Sequence, residues 1–167
     1  MSGKGIYQGY ALQAVDDKGR VAIPSSLRAT LIARAPAGVD PKDAMSVVLG
    51  FHESDPCLIG YDAGYAEALH AELAERARAH AGADGAPKGA ILRNAMAAET
   101  LPFDSSGRFI LPPFPRRRMN IGRYAFFYGM GDWFEMWDPA TLVASDAASD
   151  VMKDAVRFFM EERGETL

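Results

Sequence analysis

The chain has 167 residues, of which 49% are hydrophobic and 24% are charged, and its formal net charge at pH 7 is -4. This balance fits one or two small globular domains, and the acidic total disfavours nucleic-acid binding by net charge alone. The single cysteine, Cys57, excludes an intrachain disulfide framework, and no apolar run has transmembrane length. We therefore expect a cytoplasmic protein with no membrane partner.

The first predicted element is a β-hairpin. Residues 7–15 alternate enough to form a strand, and residues 20–23 form the returning strand. Between them, residues 16–19 form a turn in which Asp16 can bond the backbone ahead of it and Gly19 tolerates a positive φ. The hairpin should therefore present an exposed turn, with an arginine at the first position of its outgoing strand.

A short helix should follow this hairpin. Ser25 or Ser26 can cap it, and its apolar spacing extends to Ala33. The helical spacing separates an inward apolar set from an outward basic set: Leu27, Leu31 and Ile32 against Arg28 and Arg34.

Two strands and a longer helix complete the first half. Residues 45–51 and 57–61 predict the strands, and Asp62 is placed to cap a helix over residues 63–80. The inward stripe of that helix consists of Tyr65, Leu69 and Leu73. Glycines and a proline then break the chain before a second helix, predicted over residues 88–97.

The second half repeats this order. Residues 99–103 and 108–111 predict a hairpin around a turn at residues 104–107, and residues 124–128 and 133–137 predict the later strands. The halves are thus parallel in their order of elements.

A helical segment from Pro139 to Gly164 ends the chain. Asp138 can start it, with proline in the favoured first helical position. Its apolar residues are Leu142, Val143, Val151, Val156 and Phe159. Such a stripe must be covered, either by the rest of the domain or by another subunit.

An internal repeat is the strongest signal in the sequence. DDKGRVAIP at residues 16–24 recurs as DSSGRFILP at residues 104–112, and an arginine follows each copy at the same distance, Arg28 and Arg116. Asp, Gly, Arg, Pro and the second Arg coincide in register, which is hard to obtain by accident. The repeat indicates two pseudo-equivalent halves, each small for its own core, so mutual packing is expected.

We divide the chain accordingly into four parts. A first module spans residues 7–80, a linker and connecting helix residues 81–97, a second module residues 98–145 and a helical tail residues 146–167. The predicted fold class is α+β, with two pseudo-symmetric β-barrel-like modules and flanking helices.

The hairpin signature resembles the AbrB-type swapped-hairpin DNA-binding module, through Asp16, Lys18, Gly19, Arg20, Pro24, Leu27 and Arg28. Its tandem arrangement, from about residue 9 to about residue 142, is similar to the MraZ family of transcriptional regulators, which is associated with the division and cell wall gene cluster. The resemblance implies that the D-x-x-x-R signatures face double-stranded DNA with short G-rich direct repeats. It also implies subunits that form homo-oligomeric rings and a nucleoid-associated location.

Each signature offers chemistry that can read DNA. Arg20 and Arg108 can present a planar guanidinium to guanine O6 and N7 in the major groove. Asp16 and Asp104 can fix the turns and orient these arginines. The alternative is that each Asp–Arg pair is a surface ion pair within its hairpin, which contributes little.

Four further basic residues are candidates for phosphate contacts, which position a protein on DNA without specifying sequence. Lys18 and Arg28 accompany the first signature, while Arg116 and Arg117 belong to a basic island that continues to Arg118 and Arg123. The alternative for this set is a solvated surface.

We expect no enzyme, cofactor or metal, since the sequence lacks paired catalytic carboxylates, a phosphate-cradling glycine loop and a nucleophile elbow. Its three histidines are too far apart to suggest a local metal site. The alternative function is a ring-forming scaffold or an antitoxin-like interaction module without specific DNA binding. Two features support this alternative. The terminal helix is acidic, and the second copy of the repeat has Ser106 where the first has Lys18, with Pro113 and Pro115 expected to shorten the helix that follows.

Overall fold

A six-stranded antiparallel sheet forms the centre of the protein in the computed structural model, which describes residues 5–85 and 87–167. Its strands are β1 (Tyr10–Ala14), β3 (Ser46–Phe51), β4 (Leu58–Tyr61), β5 (Glu99–Pro102), β7 (Tyr124–Gly129) and β8 (Phe134–Trp137). A separate two-stranded ribbon joins β2 (Arg20–Ala22) to β6 (Arg108–Ile110). The helices are α1 (Ser25–Ala33), α2 (Ala63–Ala79), α3 (Gly89–Arg93), α4 (Pro113–Arg118), α5 (Pro139–Ala144) and α6 (Asp150–Glu162).

The strand order of the large sheet is β1-β7-β8-β4-β3-β5. Because β1 to β4 correspond to β5 to β8 in the repeat, this order is unchanged when the two halves are exchanged. The first strand of each half pairs with the third strand of the other half, β1 with β7 and β5 with β3. The halves are therefore interlocked.

The predicted α+β class is confirmed, whereas no closed barrel is found among the described residues. The sheet is open and ends at the edge strands β1 and β5. The prediction that residues 7–23 and 99–111 form paired hairpins is wrong, because β1 pairs with β7, β5 with β3, and β2 with β6. Each predicted hairpin is instead a tight turn that joins one strand of the sheet to one strand of the ribbon, so both halves contribute to each. A half by itself has too few strands to close around a core.

Helix α1 ends at Ala33 as predicted, but its cap and the exposure of two of its residues differ from the prediction. Pro24 occupies the N-cap position without a side-chain hydrogen bond, so neither serine caps the helix. Leu27 and Leu31 are buried as expected, because residues four apart lie on the same face of a helix. Ile32 lies off that face and is 45% exposed. Arg34, expected outside, lies largely buried because it pairs with a buried carboxylate.

That carboxylate belongs to Asp62, which links three parts of the fold. Its Oδ1 accepts the backbone N–H of Tyr65 at 2.8 Å, which confirms the predicted cap of α2. Its Oδ2 accepts the Tyr7 hydroxyl at 2.8 Å and lies 2.8 Å from Nε of Arg34. The guanidinium of Arg34 also stacks over the Tyr7 ring. Asp62 thus ties the N-terminal segment to α1 and α2.

Two other helical predictions are partly corrected. The segment predicted as one helix over residues 88–97 forms α3 and a separate 3-10 turn at Ala95–Ala97. Helix α4 has six residues against nine in α1, so the shortening predicted from the prolines is confirmed.

The terminal segment forms two helices instead of one. Ser145 takes an extended conformation at the end of α5, and the Ser149 side chain accepts the N–H of Met152 to start α6. The buried residues of α6 are Met152, Val156 and Met160, while Val151, expected in the stripe, is 62% exposed. Helix α6 packs with Leu12 and Trp137 of the sheet, so the tail is covered by its own chain.

Candidate nucleic-acid interface

The turn of the first hairpin is held by one carboxylate. Oδ1 of Asp16 accepts the backbone N–H groups of Lys18 at 2.9 Å and Arg20 at 2.8 Å. Oδ2 accepts Nε of Arg20 at 2.6 Å. The same side chain therefore fixes the turn and sets the orientation of the guanidinium.

The second hairpin reproduces this arrangement. Oδ1 of Asp104 accepts the N–H groups of Ser106 and Arg108, both at 2.9 Å, and Oδ2 accepts Nε of Arg108 at 3.0 Å. The sequence repeat is thus also a repeat of geometry, although a serine stands where the first turn has Lys18.

Each turn is also locked to a strand of the other half. Gly19 and Gly107 have φ near +83° and +82°, a conformation that favours glycine. The Gly19 carbonyl accepts the N–H of Leu111 at 2.8 Å, and the Gly107 carbonyl accepts that of Ile23 at 2.9 Å. A β-carbon at Gly19 would lie 2.8 Å from the Leu111 oxygen. Glycine is therefore required there both for its backbone conformation and for space.

The ribbon places the two signature arginines on one face. Arg20 pairs with Ile110, and Ala22 pairs with Arg108. Because opposed residues of an antiparallel pair share a face, all four of these side chains lie on the same side. The intervening pair, Val21 and Phe109, points into the core. Two arginines from different halves thus share one exposed surface, which we call the ribbon face.

Both guanidiniums remain accessible on the ribbon face. The Arg20 side chain is 51% exposed and that of Arg108 is 59% exposed. Their hydrogen bonds within the described part of the chain engage Nε alone, so the two terminal amino groups of each fork are unoccupied. An oriented fork with two free donors is what bidentate recognition of a guanine edge or a phosphate requires.

Arg28 and Arg116 brace the turns reciprocally. The Arg28 guanidinium of α1 donates to the Ser106 carbonyl in the second turn, 78 residues away. Nη1 of Arg116 in α4 donates to the Asp16 carbonyl in the first turn at 3.2 Å. The remaining nitrogens of Arg116 donate to the carbonyls of Ile121 and Gly122. Each half therefore supports the other half's signature, and each nitrogen of the Arg116 guanidinium donates to a backbone oxygen.

The remaining basic residues predicted to contact phosphates lie at separate places on the surface. Lys18 is exposed at the first turn, and Arg117 is exposed on α4; neither has a side-chain partner within residues 5–85 and 87–167. Nη2 of Arg123 lies 3.1 Å from Oε1 of Glu165, so the tail partly neutralises the predicted basic island.

Sequence reasoning missed one residue of the ribbon face. Ile110 is 61% exposed between the two arginines, although an isoleucine in a strand is usually buried. The signal was its position two residues after Arg108, which places both on the same side of the strand. In a DNA major groove, an exposed apolar side chain can contact a thymine methyl group.

The turn carboxylates resist protonation. The backbone N–H of Arg20, followed by its side chain, holds the pKa of Asp16 below its ordinary value, and the N–H of Arg108 does the same for Asp104. A lowered folded-state pKa means that the turn bonds are present above the ordinary pKa and are lost as pH falls through the lowered one.

We expect the backbone amide NMR signals of Lys18 and Arg20 to stay constant from pH 8 to pH 5 and to move only below about pH 4. The Asp16→Asn variant, which cannot ionise at that position, should show no such transition at low pH. A transition of the wild-type signals above the ordinary aspartate range would contradict the cage of hydrogen bonds described for Asp16.

His52, Asp55 and Glu135 come together elsewhere in the fold, with potential ligand atoms within 4.8 Å of one another. Nδ1 of His52 accepts the backbone N–H groups of Ser54 and Asp55, so the neutral ring carries its proton on Nε2. That nitrogen faces the two carboxylates at 3.5 and 3.6 Å. A proton on Nε2 faces both carboxylates and leaves no lone pair for a metal, so the cluster fits an electrostatic contact between the ring and the two acids.

Fold and site together define an α+β protein with two interlocked halves and a duplicated arginine hairpin. None of the helices in the described ranges combines the length and apolar character needed to cross a membrane. No protein-family model matches the chain.

Among curated proteins, the chain is 33% identical to the transcriptional regulator MraZ of Ruegeria sp. (strain TM1040) over 139 residues, which cover 81% of this chain and 78% of the relative. It is 32% identical to the transcriptional regulator MraZ of Saccharophagus degradans over 145 residues, 87% of this chain and 90% of that protein. The chain belongs to the MraZ family.

Proposed function

We propose that this chain is a transcriptional regulator that binds double-stranded DNA in a sequence-specific manner, at short G-rich direct repeats in promoters. The observation that carries the proposal is the ribbon face, where two carboxylate-oriented arginines from different halves are exposed side by side. Its relatives, named transcriptional regulators, support the same reading.

In this proposal Arg20 and Arg108 contact guanine edges, while Asp16 and Asp104 hold their guanidiniums in place. Lys18 and Arg117, which are exposed, contact phosphates. Arg28 and Arg116 act mainly as positioning residues, because their donors reach backbone carbonyls in the turns. They add positive charge near the DNA in addition.

We also propose that the halves act as tandem AbrB-like modules and that several copies of the chain assemble into a ring. The net charge of -4 motivates this, since one acidic chain has few phosphate contacts to offer. Repeated modules that meet repeated DNA sites raise the effective concentration of each contact. Such a regulator would work in the cytoplasm, at the nucleoid.

Fluorescence anisotropy tests this function directly. The full chain should bind a duplex with G-rich direct repeats from its own upstream region more tightly than a scrambled duplex, and both affinities should fall as salt rises. Equal and weak binding to the two duplexes would refute sequence-specific regulation. Oligomers found together with that result would instead favour a ring-forming scaffold or an antitoxin-like interaction module.

A further inference from the structure

A cavity of about 210 Å³ lies beneath α2 in the first half of the protein. Leu69 and Leu73 of α2 line one side, Ile59 and Tyr61 of β4 line another, and Ile91 of α3 lies over it. An apolar cavity of about 150 Å³ is large enough to hold benzene. The space beneath α2 therefore exceeds what one aromatic ring requires.

The corresponding region of the second half is filled. There the helices after β8 bury Met152, Val156 and Met160 in a cluster with Trp137. By contrast, α2 buries only Leu73 and Ala77 along 17 residues. The repeat thus shows the same architectural position packed in one half and hollow in the other.

A polar group at this cavity lacks the partner that its counterpart has. Trp137, which corresponds to Tyr61 in the repeat, donates its indole N–H to Oε1 of Glu135 at 2.9 Å. The residue that corresponds to Glu135 is Ile59, which has no acceptor. The Tyr61 residue is 3% exposed, and its hydroxyl makes no hydrogen bond within the part of the chain that the structure describes.

This hydroxyl is a donor in need of an acceptor. Burial raises the pKa of Tyr61, so the group keeps its proton at neutral pH. The indole N–H of Trp133, which also lines the cavity, is a second donor there, and it is buried without a hydrogen-bond partner among the described residues. Buried polar groups in proteins are nearly always hydrogen-bonded, because an unmade bond costs the full desolvation of the group. The acceptor that the chain omits can come from a bound molecule.

The charge near the cavity limits the kind of molecule. Glu53 and His52 also line it, and His52 faces the carboxylates of Asp55 and Glu135. Glu53 is paired with Arg76 at 2.8 Å, and the described residues that line the cavity include no lysine or arginine to hold an anion.

We propose that the cavity beneath α2 is a binding site for a small neutral ligand: an aromatic or similarly apolar ring that carries a carbonyl or comparable oxygen, which accepts the Tyr61 hydroxyl. The apolar walls bind the ring and the hydroxyl selects the oxygen. This site is separate from the ribbon face, so its test does not depend on DNA binding.

Two probes of similar size test the site by 19F NMR titration of the full chain: 4-fluoroacetophenone, which has a carbonyl, and 4-fluorotoluene, which has none. Both should bind to the wild type. Tyr61→Phe should raise the dissociation constant of 4-fluoroacetophenone by about 3- to 10-fold, the usual worth of one neutral hydrogen bond. It should leave the dissociation constant of 4-fluorotoluene unchanged. Tyr10→Phe, a matched substitution at a 52% exposed tyrosine outside the cavity, should change neither.

Leu69→Trp should fill the cavity and abolish binding of both probes while circular dichroism shows a folded chain. Failure of either probe to bind up to its solubility limit would overturn the proposal. So would a Tyr61→Phe variant that binds the ketone as tightly as the wild type, and this comparison holds even when Leu69→Trp does not fold.

Discussion

Replacing Asp62 with alanine should lower the free energy of unfolding by about 3–5 kcal/mol, the usual cost of removing one partner from a buried ion pair. The variant leaves the Arg34 guanidinium, whose side chain is 12% exposed, without its close carboxylate. It also removes the acceptor of the Tyr7 hydroxyl and the N-cap of α2. One substitution removes all three contacts because a single side chain makes them.

Urea denaturation followed by circular dichroism measures this effect, and the chain supplies a matched control. Asp132 also approaches Arg34, at 3.4 Å, but its side chain is 63% exposed. Asp132→Ala should therefore cost less than about 1 kcal/mol, as expected for a solvated pair. Similar losses in the two variants would show that burial of Asp62 does not carry the stability we assign to it.

Removal of both signature arginines should abolish sequence preference while the chain remains folded. Each bidentate contact to guanine discriminates by about 1–3 kcal/mol, so Arg20→Ala with Arg108→Ala should cost roughly 2–6 kcal/mol on the repeat duplex if the effects add. Binding to scrambled duplex should fall far less, because Lys18 and the arginines of α4 remain. Fold should survive because both side chains are exposed.

The measured quantity is the ratio of dissociation constants for scrambled and repeat duplexes. Arg157→Ala is the control for each single arginine substitution, since this α6 arginine is 55% exposed and its loss removes one positive charge away from the ribbon face. Lys18→Ala should weaken both duplexes alike and reduce the salt dependence, as expected for a phosphate contact. A double arginine variant that keeps the wild-type ratio would refute base reading by the ribbon face.

The geometry of the turns was predictable because their bonds are local, whereas the strands on either side of each turn pair elsewhere, β1 with β7 and β2 with β6. Asp16 reaches Lys18 and Arg20 within four residues, and glycine supplies the backbone conformation that the turn requires. The caps at Asp62 and Asp138 were equally accessible from sequence, since a cap satisfies the first turn of its own helix. In such elements the residues that interact are also neighbours in the chain.

The roles of Arg28 and Arg116 were not predictable in this way. Each looked like a basic residue at a fixed distance after its own hairpin, but its partner lies in the other hairpin, 78 or 100 residues away. The exposed position predicted for Arg34 was wrong for the same reason, because helical spacing does not show that the buried carboxylate of Asp62 lies beside it. The unfilled space beneath α2 also depends on how helices and sheet meet, which periodicity does not determine.

The exchanged strands have a consequence for synthesis on the ribosome. Strand β1 is made first, yet its partner β7 ends at Gly129, so the N-terminal strand must wait until most of the chain has emerged. Contacts this distant in sequence close slowly. During that interval β1 is an unpaired edge, open to a second nascent chain that offers the same β7. Translation of neighbouring copies on one message would then favour strand exchange between molecules.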